Sequence, residues 1–270
     1  MDNRPIGILD SGFGGLTALR EMKRLLPDEE LVYFGDNGRA PYGVRTPQEV
    51  AAMTQEVICF LLAQNVKAVI VACGTATSSL PYLRRTFPVP VTGVVVPAAR
   101  AACAATRSGR IGVTGTELTI RAGKYNEAIR SMLPQAELLP QPCQPFVTLV
   151  EQGRTEPDDP EVQAAVRSCL APVRAGCPDT LILGCTHFPL LSRAIAAYMG
   201  PDVTLIDSGA CAARETAEQL RRADALASGG SGRITCYTSG DTALFERAGS
   251  GFAGQALQGL VHYASAAGCH

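Results

Sequence analysis

Two cysteines could carry acid–base chemistry, because each follows a short apolar run that predicts a buried strand. Cys73 follows the run that starts at Ala68, and Cys185 follows the run that starts at Thr180, in similar sequences 112 residues apart. Ligands of open parallel sheets bind at the carboxyl ends of the strands. Most cysteines are small buried hydrophobes, but threonine and turn-forming residues follow both of these. We therefore expect an acid and a base on opposite faces of one carbon.

Two further ionisable residues accompany the second cysteine. His187 lies two residues beyond Cys185, and an imidazole beside a thiol can stabilise the thiolate or pass its proton on. Glu151 follows the apolar run 146–150 and is a candidate second carboxylate. A single histidine is more often structural, so its closeness to a strand-end cysteine is what makes His187 a candidate.

A glycine-rich loop follows the first apolar run and reads Asp10-Ser-Gly-Phe-Gly-Gly15. It approaches the dinucleotide-binding fingerprint, with Asp36 near the position of a ribose-binding acid. However, Thr17 stands at the third glycine position, and Asp10 would bring a carboxylate to the pyrophosphate. The loop is better suited to a small carboxylate, bound by backbone N–H groups and the Ser11 hydroxyl, with Asp10 handling an ammonium group or a proton.

Composition excludes several classes of protein. The net charge is −1 with no basic run, which argues against nucleic-acid binding. No apolar stretch reaches the ~18 residues of a membrane span, and the chain enters a strand at Ile6 with no room for a signal peptide, so we expect a cytoplasmic protein. Ten cysteines without a C-x-x-C pair, and only three histidines, argue against a disulfide scaffold and a metal site.

Apolar runs alternate with amphipathic stretches, which predicts an α/β fold. Predicted strands span 6–10, 31–35, 68–72, 91–95, 110–114, 136–139, 180–184, 203–206 and 233–238. Predicted helices span 15–26, 46–64, 117–132, 160–175 and 189–199, and the arginine pairs 84–85 and 221–222 are expected on solvated helix faces. The sequence after Ile6 resembles that after Ile111, which indicates two similar units, although α/β units commonly look alike.

Seven stretches resemble the glutamate racemase family, in the family's order and over nearly the whole chain. They are 8–16 (ILDSGFGGL), 33–43 (YFGDNGRAPYG), 71–75 (VACGT), 111–116 (IGVTGT), 146–151 (FVTLVE), 183–191 (LGCTHFPLL) and 205–208 (LIDS). The resemblance implies two flavodoxin-like domains with open parallel sheets, related by pseudo-symmetry, with the active site in the cleft between them. We expect the first domain to comprise 1–97 and 208–270, and the second 98–207.

The resemblance also implies the roles of individual residues. Cys73 and Cys185 would be the two acid/base residues, assisted by Asp10 and His187. The implied substrate-binding positions are Asp10, Ser11, Tyr42, Gly43, Gly74, Thr75, Thr116 and Thr186. The family usually has asparagine where this chain has Gly74, so that a side-chain hydrogen bond to the amino acid is missing.

The implied reaction interconverts L- and D-glutamate for peptidoglycan synthesis, without cofactor or metal, in a homodimer. Pyridoxal phosphate is not expected, since none of the three lysines follows a strand in a position for a Schiff base. Three alternatives remain open. They are a racemase of aspartate or a related amino acid, a homologue that binds a small carboxylate but has impaired catalysis, and a dinucleotide enzyme.

Overall fold

Strands and helices alternate along residues 1–82 and 87–269, which are the residues that the computed structural model describes. The strands are β1 (Ile6–Asp10), β2 (Leu31–Gly35), β3 (Ala68–Val71), β4 (Val91–Gly93), β5 (Arg110–Gly115), β6 (Glu137–Pro142), β7 (Thr180–Leu183), β8 (Thr204–Asp207), β9 (Ile234–Thr238) and β10 (Val261–Tyr263). The helices are α1 (Leu16–Leu25), α2 (Pro47–Ala63), α3 (Gly74–Ser79), α4 (Val95–Ala105), α5 (Glu117–Ala122), α6 (Lys124–Met132), α7 (Gln144–Glu151), α8 (Pro160–Ala175), α9 (Ser192–Met199), α10 (Ser208–Arg222) and α11 (Thr242–Ala253). Short 3-10 segments cover Asn37–Arg39, Tyr42–Val44, Leu80–Tyr82 and Phe188–Leu191.

The chain forms two compact units, each built on one parallel sheet. Unit 1 contains residues 1–94 and those from 212 onward, and unit 2 contains residues 95–211. The sheet of unit 1 has the strand order β10-β9-β2-β1-β3-β4, and that of unit 2 has the order β6-β5-β7-β8. The predicted α/β fold with two parallel sheets is confirmed. The domain boundaries predicted at 97/98 and 207/208 stay a prediction, while the two units divide at 94/95 and 211/212.

Each of the two sheets contains four strands in the same order. In unit 1 these strands are β2-β1-β3-β4, and in unit 2 they are β6-β5-β7-β8, so that each set reads 2-1-3-4 in its own numbering. Strands β1, β2, β3 and β7 are buried along their whole length. This is why they appear in the sequence as continuous apolar runs, as parallel strands covered on both faces do.

Local signals explain where the longer helices begin. Thr46 caps α2 by accepting a hydrogen bond from the Glu49 N–H, while the Glu49 carboxylate accepts one from the Thr46 N–H, and Pro47 occupies the first turn. Asp159 caps α8, its carboxylate accepting hydrogen bonds from the Glu161 and Val162 N–H groups, ahead of Pro160. These caps account for the close agreement between the predicted and observed bounds of both helices.

The structure corrects several predicted elements. The helix predicted over 117–132 is two helices, because Gly123 between them has a left-handed φ of 66°. The strand predicted over 91–95 ends at Gly93, and Val95 already begins α4. The helix predicted from Pro189 is a 3-10 turn over Phe188–Leu191 followed by α9. Sequence analysis gave no bounds for α3, α4, α7, α10, α11 or β10.

Some expectations concern exposure or membranes. The predicted exposure of Arg221 and Arg222 at the end of α10 is confirmed. Arg84 and Arg85 lie outside the described residues. Along 1–82 and 87–269, no helix is long and apolar enough to cross a membrane.

Candidate active site

Each cysteine lies at the same place in its own sheet. Cys73 follows β3 by two residues, and the last paired residue of that strand, Val71, faces Leu9 of β1. Cys185 follows β7 by two residues, and its strand ends at Leu183, which faces Thr114 of β5. Both cysteines therefore lie beside the point where the strand order reverses, and this is where ligands bind in open α/β sheets.

In unit 1, Cys73 is surrounded by hydrogen-bonding groups. Its side chain is 6% exposed and caps α3, because the sulfur accepts a hydrogen bond from the Ala76 N–H at 3.4 Å. The Ser11 hydroxyl lies 3.6 Å from the same sulfur. A sulfur that meets an N–H donor and a hydroxyl is suited to carry negative charge. The structure thus brings Ser11 to Cys73 from the loop after β1.

Asp10 ends β1 and is buried in the same unit. One carboxylate oxygen accepts a hydrogen bond from the Gly12 N–H at 3.1 Å, which fixes the turn that carries Ser11. The Tyr33 hydroxyl donates to the Gly12 carbonyl at 2.8 Å. Burial raises the pKa of Tyr33 well above its usual value, and the negative charge of Asp10 raises it further. Tyr33 is therefore a neutral donor that holds the loop.

The other predicted residues of unit 1 lie close to Cys73 along the chain or in the core. Gly74 and Thr75 form the buried first turn of α3. Tyr42 belongs to the buried cluster that includes Cys73 and Ala76. Gly43 is half-buried and has no atom within 4 Å of where a Cβ would stand.

Asp36 is fully buried and carries a network rather than an open carboxylate. It accepts hydrogen bonds from the Tyr42 hydroxyl, the Arg39 Nε and the Ser239 hydroxyl. Burial raises the pKa of Tyr42, and the Asp36 charge adds to the effect. This phenol therefore stays protonated and donates to the carboxylate.

In unit 2, Cys185 stands in a chain of ionisable groups. Its sulfur lies 3.7 Å from the His187 Nδ1, and the His187 Nε2 lies 3.4 Å from a carboxylate oxygen of Glu151. Phe146 on α7 meets Phe188 edge to face, with ring centroids 5.1 Å apart, which sets the position of the helix that carries Glu151. The structure thus brings all three of these predicted residues together. They can pass a proton between the thiol and solvent.

Thr186 and Thr116 complete the predicted set of unit 2. Thr186 is buried beside Cys185. Thr116 caps α5, its hydroxyl oxygen accepting from the Thr119 N–H at 3.3 Å. The register of the two sheets makes Thr116 the counterpart of Ser11, since each comes two residues after the strand residue that faces Val71 or Leu183.

Sequence analysis missed residues that support these groups. Tyr33 holds the turn after Asp10, and Tyr125 packs its ring under Gly184, the residue before Cys185. Ser239 reaches Asp36 from a strand end more than 200 residues later. A buried tyrosine hydroxyl needs a hydrogen-bond partner, so a tyrosine within a predicted strand or helix, such as Tyr33 or Tyr125, could have been recognised from the sequence as a supporting residue. Ser239 carries no such signal.

The comparison with known proteins now decides the family. A family model described as Asp/Glu/Hydantoin racemase matches residues 6–216. The chain belongs to this family. A glutamate racemase of Geobacter metallireducens is 43% identical over 256 residues, which cover 94% of each chain. One of Exiguobacterium sibiricum is 45% identical over 252 residues, covering 92% of each.

Solved structures of this family have the same fold. Glutamate racemase isoform RacE1 of Bacillus anthracis is 36% identical, covers 98% of both chains and superposes with a TM-score of 0.91. A glutamate racemase of Francisella tularensis, solved in complex with D-glutamate, is 28% identical over 99% of both chains, with a TM-score of 0.88. The predicted resemblance to glutamate racemases and the prediction that this chain is a racemase are confirmed. The roles predicted for individual residues stay predictions.

Proposed function

We propose that this racemase interconverts L- and D-glutamate, with Cys73 and Cys185 as the two acid/base residues. The observation that carries the proposal is their equivalence, because each thiol follows the same strand of the same four-strand order, at the point where that order reverses. The relatives named glutamate racemases, 43–45% identical over more than nine-tenths of the chain, support the choice of substrate.

The reaction needs one thiol on each face of the substrate Cα. One cysteine, as thiolate, removes the α-proton, and the other, as thiol, returns a proton to the opposite face; the roles exchange in the reverse reaction. The Ser11 hydroxyl and the Ala76 N–H favour negative charge on Cys73. His187 exchanges a proton with Cys185, and Glu151 orients the imidazole. Asp10 assists on the side of Cys73.

The remaining predicted residues would hold the amino acid. Backbone N–H groups and hydroxyls suit the substrate carboxylates, and these are supplied by Ser11 and Thr75 in unit 1 and by Thr116 and Thr186 in unit 2. The loop at Tyr42 and Gly43 adds backbone groups beside open space. Donors fixed in advance stabilise the charge that develops when the α-proton leaves.

The lysines support a reaction without pyridoxal phosphate. Lys67 is buried and paired with Glu29, and its Nζ also donates to the carbonyls of Asp2 and Ala225. Lys23 donates to the carbonyls of Pro27 and Gly232, and Lys124 pairs with Glu127. No other lysine exists in the sequence to form a Schiff base.

The proposal extends to the cell. The D-glutamate formed would supply peptidoglycan synthesis, and the enzyme would work in the cytoplasm. The predicted homodimer stays a prediction that light scattering after size-exclusion chromatography can test.

Isotope incorporation in D₂O tests the two-thiol mechanism. Starting from protiated L-glutamate, the first D-glutamate formed should carry deuterium at Cα, because the returning proton comes from a thiol that has exchanged with solvent. The remaining L-glutamate should stay largely protiated. Mass spectrometry of both enantiomers early in the reaction measures this, and protium in the early D-product would indicate a single base instead.

Circular dichroism of glutamate and aspartate, incubated separately with the protein, tests the substrate. We expect loss of optical activity for glutamate. Turnover of aspartate alone would replace glutamate in the proposal, and no turnover of either would favour a homologue that only binds.

A further inference from the structure

The Asp36 carboxylate lies at the centre of a buried network in unit 1. It is 0% exposed and accepts from three side chains, namely the Tyr42 hydroxyl, the Arg39 Nε at 2.8 Å and the Ser239 hydroxyl at 2.6 Å. Arg39 also pairs with Glu56. Because both of its oxygens accept hydrogen bonds, this carboxylate fixes the positions of the side chains that donate to it.

Ser239 brings the end of β9 into this network. Its hydroxyl donates to Asp36 and accepts from the Gly38 N–H at 3.0 Å, so that one oxygen bridges both ends of the turn 36–38. The Ser239 N–H donates to the Gly35 carbonyl at 3.2 Å. A Cβ on Gly38 would stand 2.4 Å from the Ser239 carbonyl oxygen, which shows how closely the two segments approach.

Tyr42 transmits this order toward Cys73. The turn Tyr42–Val44 packs against α3, the helix that Cys73 caps. Tyr42 itself lies in the buried cluster that contains Cys73 and Ala76. Its hydroxyl is fixed by Asp36, so the positions of the ring and of Gly43 after it depend on the carboxylate.

We propose that Ser239 is a positioning residue of the racemase, which acts through Asp36 to hold the Tyr42–Gly43 turn in the geometry that binds the amino acid. The proposal rests on the proposed function, in which this turn contacts the substrate. Ser239 itself does not touch the reacting atoms. Losing its hydroxyl should therefore weaken substrate binding and leave proton transfer by the thiols largely intact.

The same pair of strands provides a matched control. At the opposite end of β2 and β9, the Ser231 hydroxyl donates to the Glu30 carboxylate at 2.7 Å. Like the bond from Ser239 to Asp36, this contact joins a serine beside β9 to an acidic residue beside β2. It lies at the amino ends of the two strands, whereas Ser239 and Asp36 lie at the carboxyl ends. Ser231→Ala removes a hydrogen bond of the same kind without affecting the Tyr42–Gly43 turn.

The first experiment compares racemisation of L-glutamate by the wild type, Ser239→Ala, Ser239→Thr and Ser231→Ala. We expect KM to rise about fivefold to tenfold in Ser239→Ala, as for the loss of one ordinary hydrogen bond, with kcat changed by less than about twofold. Ser239→Thr, which keeps the hydroxyl, should restore KM, and Ser231→Ala should match the wild type. A parallel fall in kcat with unchanged KM would overturn the proposal.

The second experiment measures the turn directly, without relying on activity. Hydrogen–deuterium exchange of peptides covering 36–45 should become at least several-fold faster in Ser239→Ala and remain unchanged in Ser231→Ala. Unchanged exchange in Ser239→Ala would overturn the proposal. If the wild type does not racemise glutamate, the proposed function fails, and exchange still decides whether Ser239 orders the turn. If Ser239→Ala does not fold, Asp36→Asn provides the same comparison.

Discussion

The two units deliver a thiol from the same backbone position but surround it differently. Cys73 meets a hydroxyl and a backbone N–H, contributed by Ser11 and by Ala76 of α3. Cys185 meets the imidazole of His187, which reaches the half-exposed Glu151 carboxylate. Strand order thus determines where the thiol lies, while the residues after each strand determine which groups surround it. The difference suggests that the two half-reactions depend on different assisting groups.

The contrast extends to other equivalent positions. Asp36 and Cys143 follow the matching strands β2 and β6, and their N–H groups donate to the carbonyls of Asp10 and Gly115 respectively. Asp36 is the centre of a polar network, whereas Cys143 is a buried thiol. A hydrogen bond with Cys169, together with burial, raises the pKa of Cys143, so that it stays a neutral thiol. Only unit 1 has a carboxylate at this place.

The largest loss of activity is expected when either thiol is removed. Cys73→Ala and Cys185→Ala should each lower kcat by about 10²- to 10⁴-fold, because a two-base reaction needs both groups. Circular dichroism of glutamate during turnover measures the rate, and thermal melting checks that both variants fold. Cys177→Ala, at an exposed cysteine of unit 2, is the control and should keep full activity. More than a tenth of wild-type activity in either thiol variant would contradict the assignment.

Substitution of an assisting residue should change the deuterium isotope effect differently in the two directions of the reaction. Enantiomers have equal free energies in water, so any variant must lower kcat/KM equally in both directions. The difference appears instead in primary deuterium isotope effects. We expect His187→Gln to make proton transfer at Cys185 slower, by about tenfold to a hundredfold. The isotope effect of 2-deuterated glutamate should therefore rise for one enantiomer and fall for the other.

Asp10→Asn should give the opposite pattern, since it acts on the side of Cys73. Glu151→Gln should resemble His187→Gln with a smaller effect, below about fivefold, because a carboxylate that is 54% exposed forms a weak pair. Identical isotope patterns in Asp10→Asn and His187→Gln would show that the two residues assist the same thiol.

The two units differ in how large a side chain they accommodate at the residue before the cysteine. Unit 1 has Ala72 there, whereas a Cβ on Gly184 would stand 2.4 Å from the Thr114 carbonyl oxygen and 3.0 Å from the Tyr125 ring. Gly184→Ala should therefore destabilise the protein by about 1–3 kcal/mol through overpacking. Gly251→Ala is the control, since nothing lies within 4 Å of its Cβ position in α11, and it should be neutral or stabilising. Denaturant unfolding measures both, and equal stability of the two variants would contradict the prediction.

The smallest expected effect is on protein stability, and it concerns the residues just before β3 and β7, the strands that lead to the two cysteines. Lys67 precedes β3 in a buried ion pair, whereas Asp179 precedes β7 and holds the loop 106–108. Burial acts to raise the pKa of Asp179, but hydrogen bonds from Thr106, Ser108 and Arg107 lower it overall. Its stabilisation is thus complete above the ordinary aspartate pKa of about 3.9 and is lost as the pH falls below it.

Asp179→Asn should lower the free energy of unfolding by about 1–2 kcal/mol at neutral pH, as for weakened hydrogen bonds to a charged acceptor. The difference from the wild type should shrink as the pH falls toward 3, because the wild-type carboxylate is then protonated more often in the unfolded state. Urea titrations at several pH values measure this. A difference that does not depend on pH would show that the charge of Asp179 is not what holds the loop.

Sequence patterns predicted the central strands well because these are parallel and buried, as the apolar runs 6–10 and 180–183 illustrate. The helix α7 was missed because Phe146–Val150 is a short apolar run with β-branched residues, and such a run fits a strand or a helix equally. The break at Gly123 was missed because the apolar periodicity continues on both sides of it.

The candidate site was predictable where chemistry and chain position coincide. Cys185 and His187 are neighbours in sequence, so their contact follows from local structure. The contact between Ser11 and Cys73 depends on the pairing of β1 with β3; the sequence placed both residues after strands but did not predict which strands pair. The bond from Ser239 to Asp36 depends on β9 pairing with β2 across a sequence separation of 203 residues, for which no local pattern exists.

The return of β9 and β10 to the sheet of unit 1 has a consequence for biosynthesis. Unit 2 is continuous in sequence, so all its strands are synthesised before β9 and β10. Unit 1 starts first but must wait for residues 234–263 to cover the edge of β2. Since domains fold as units during synthesis, we expect residues 1–94 to reach their native structure after unit 2. Until then, β2 has an unpaired edge, and an unpaired edge is a template for aggregation.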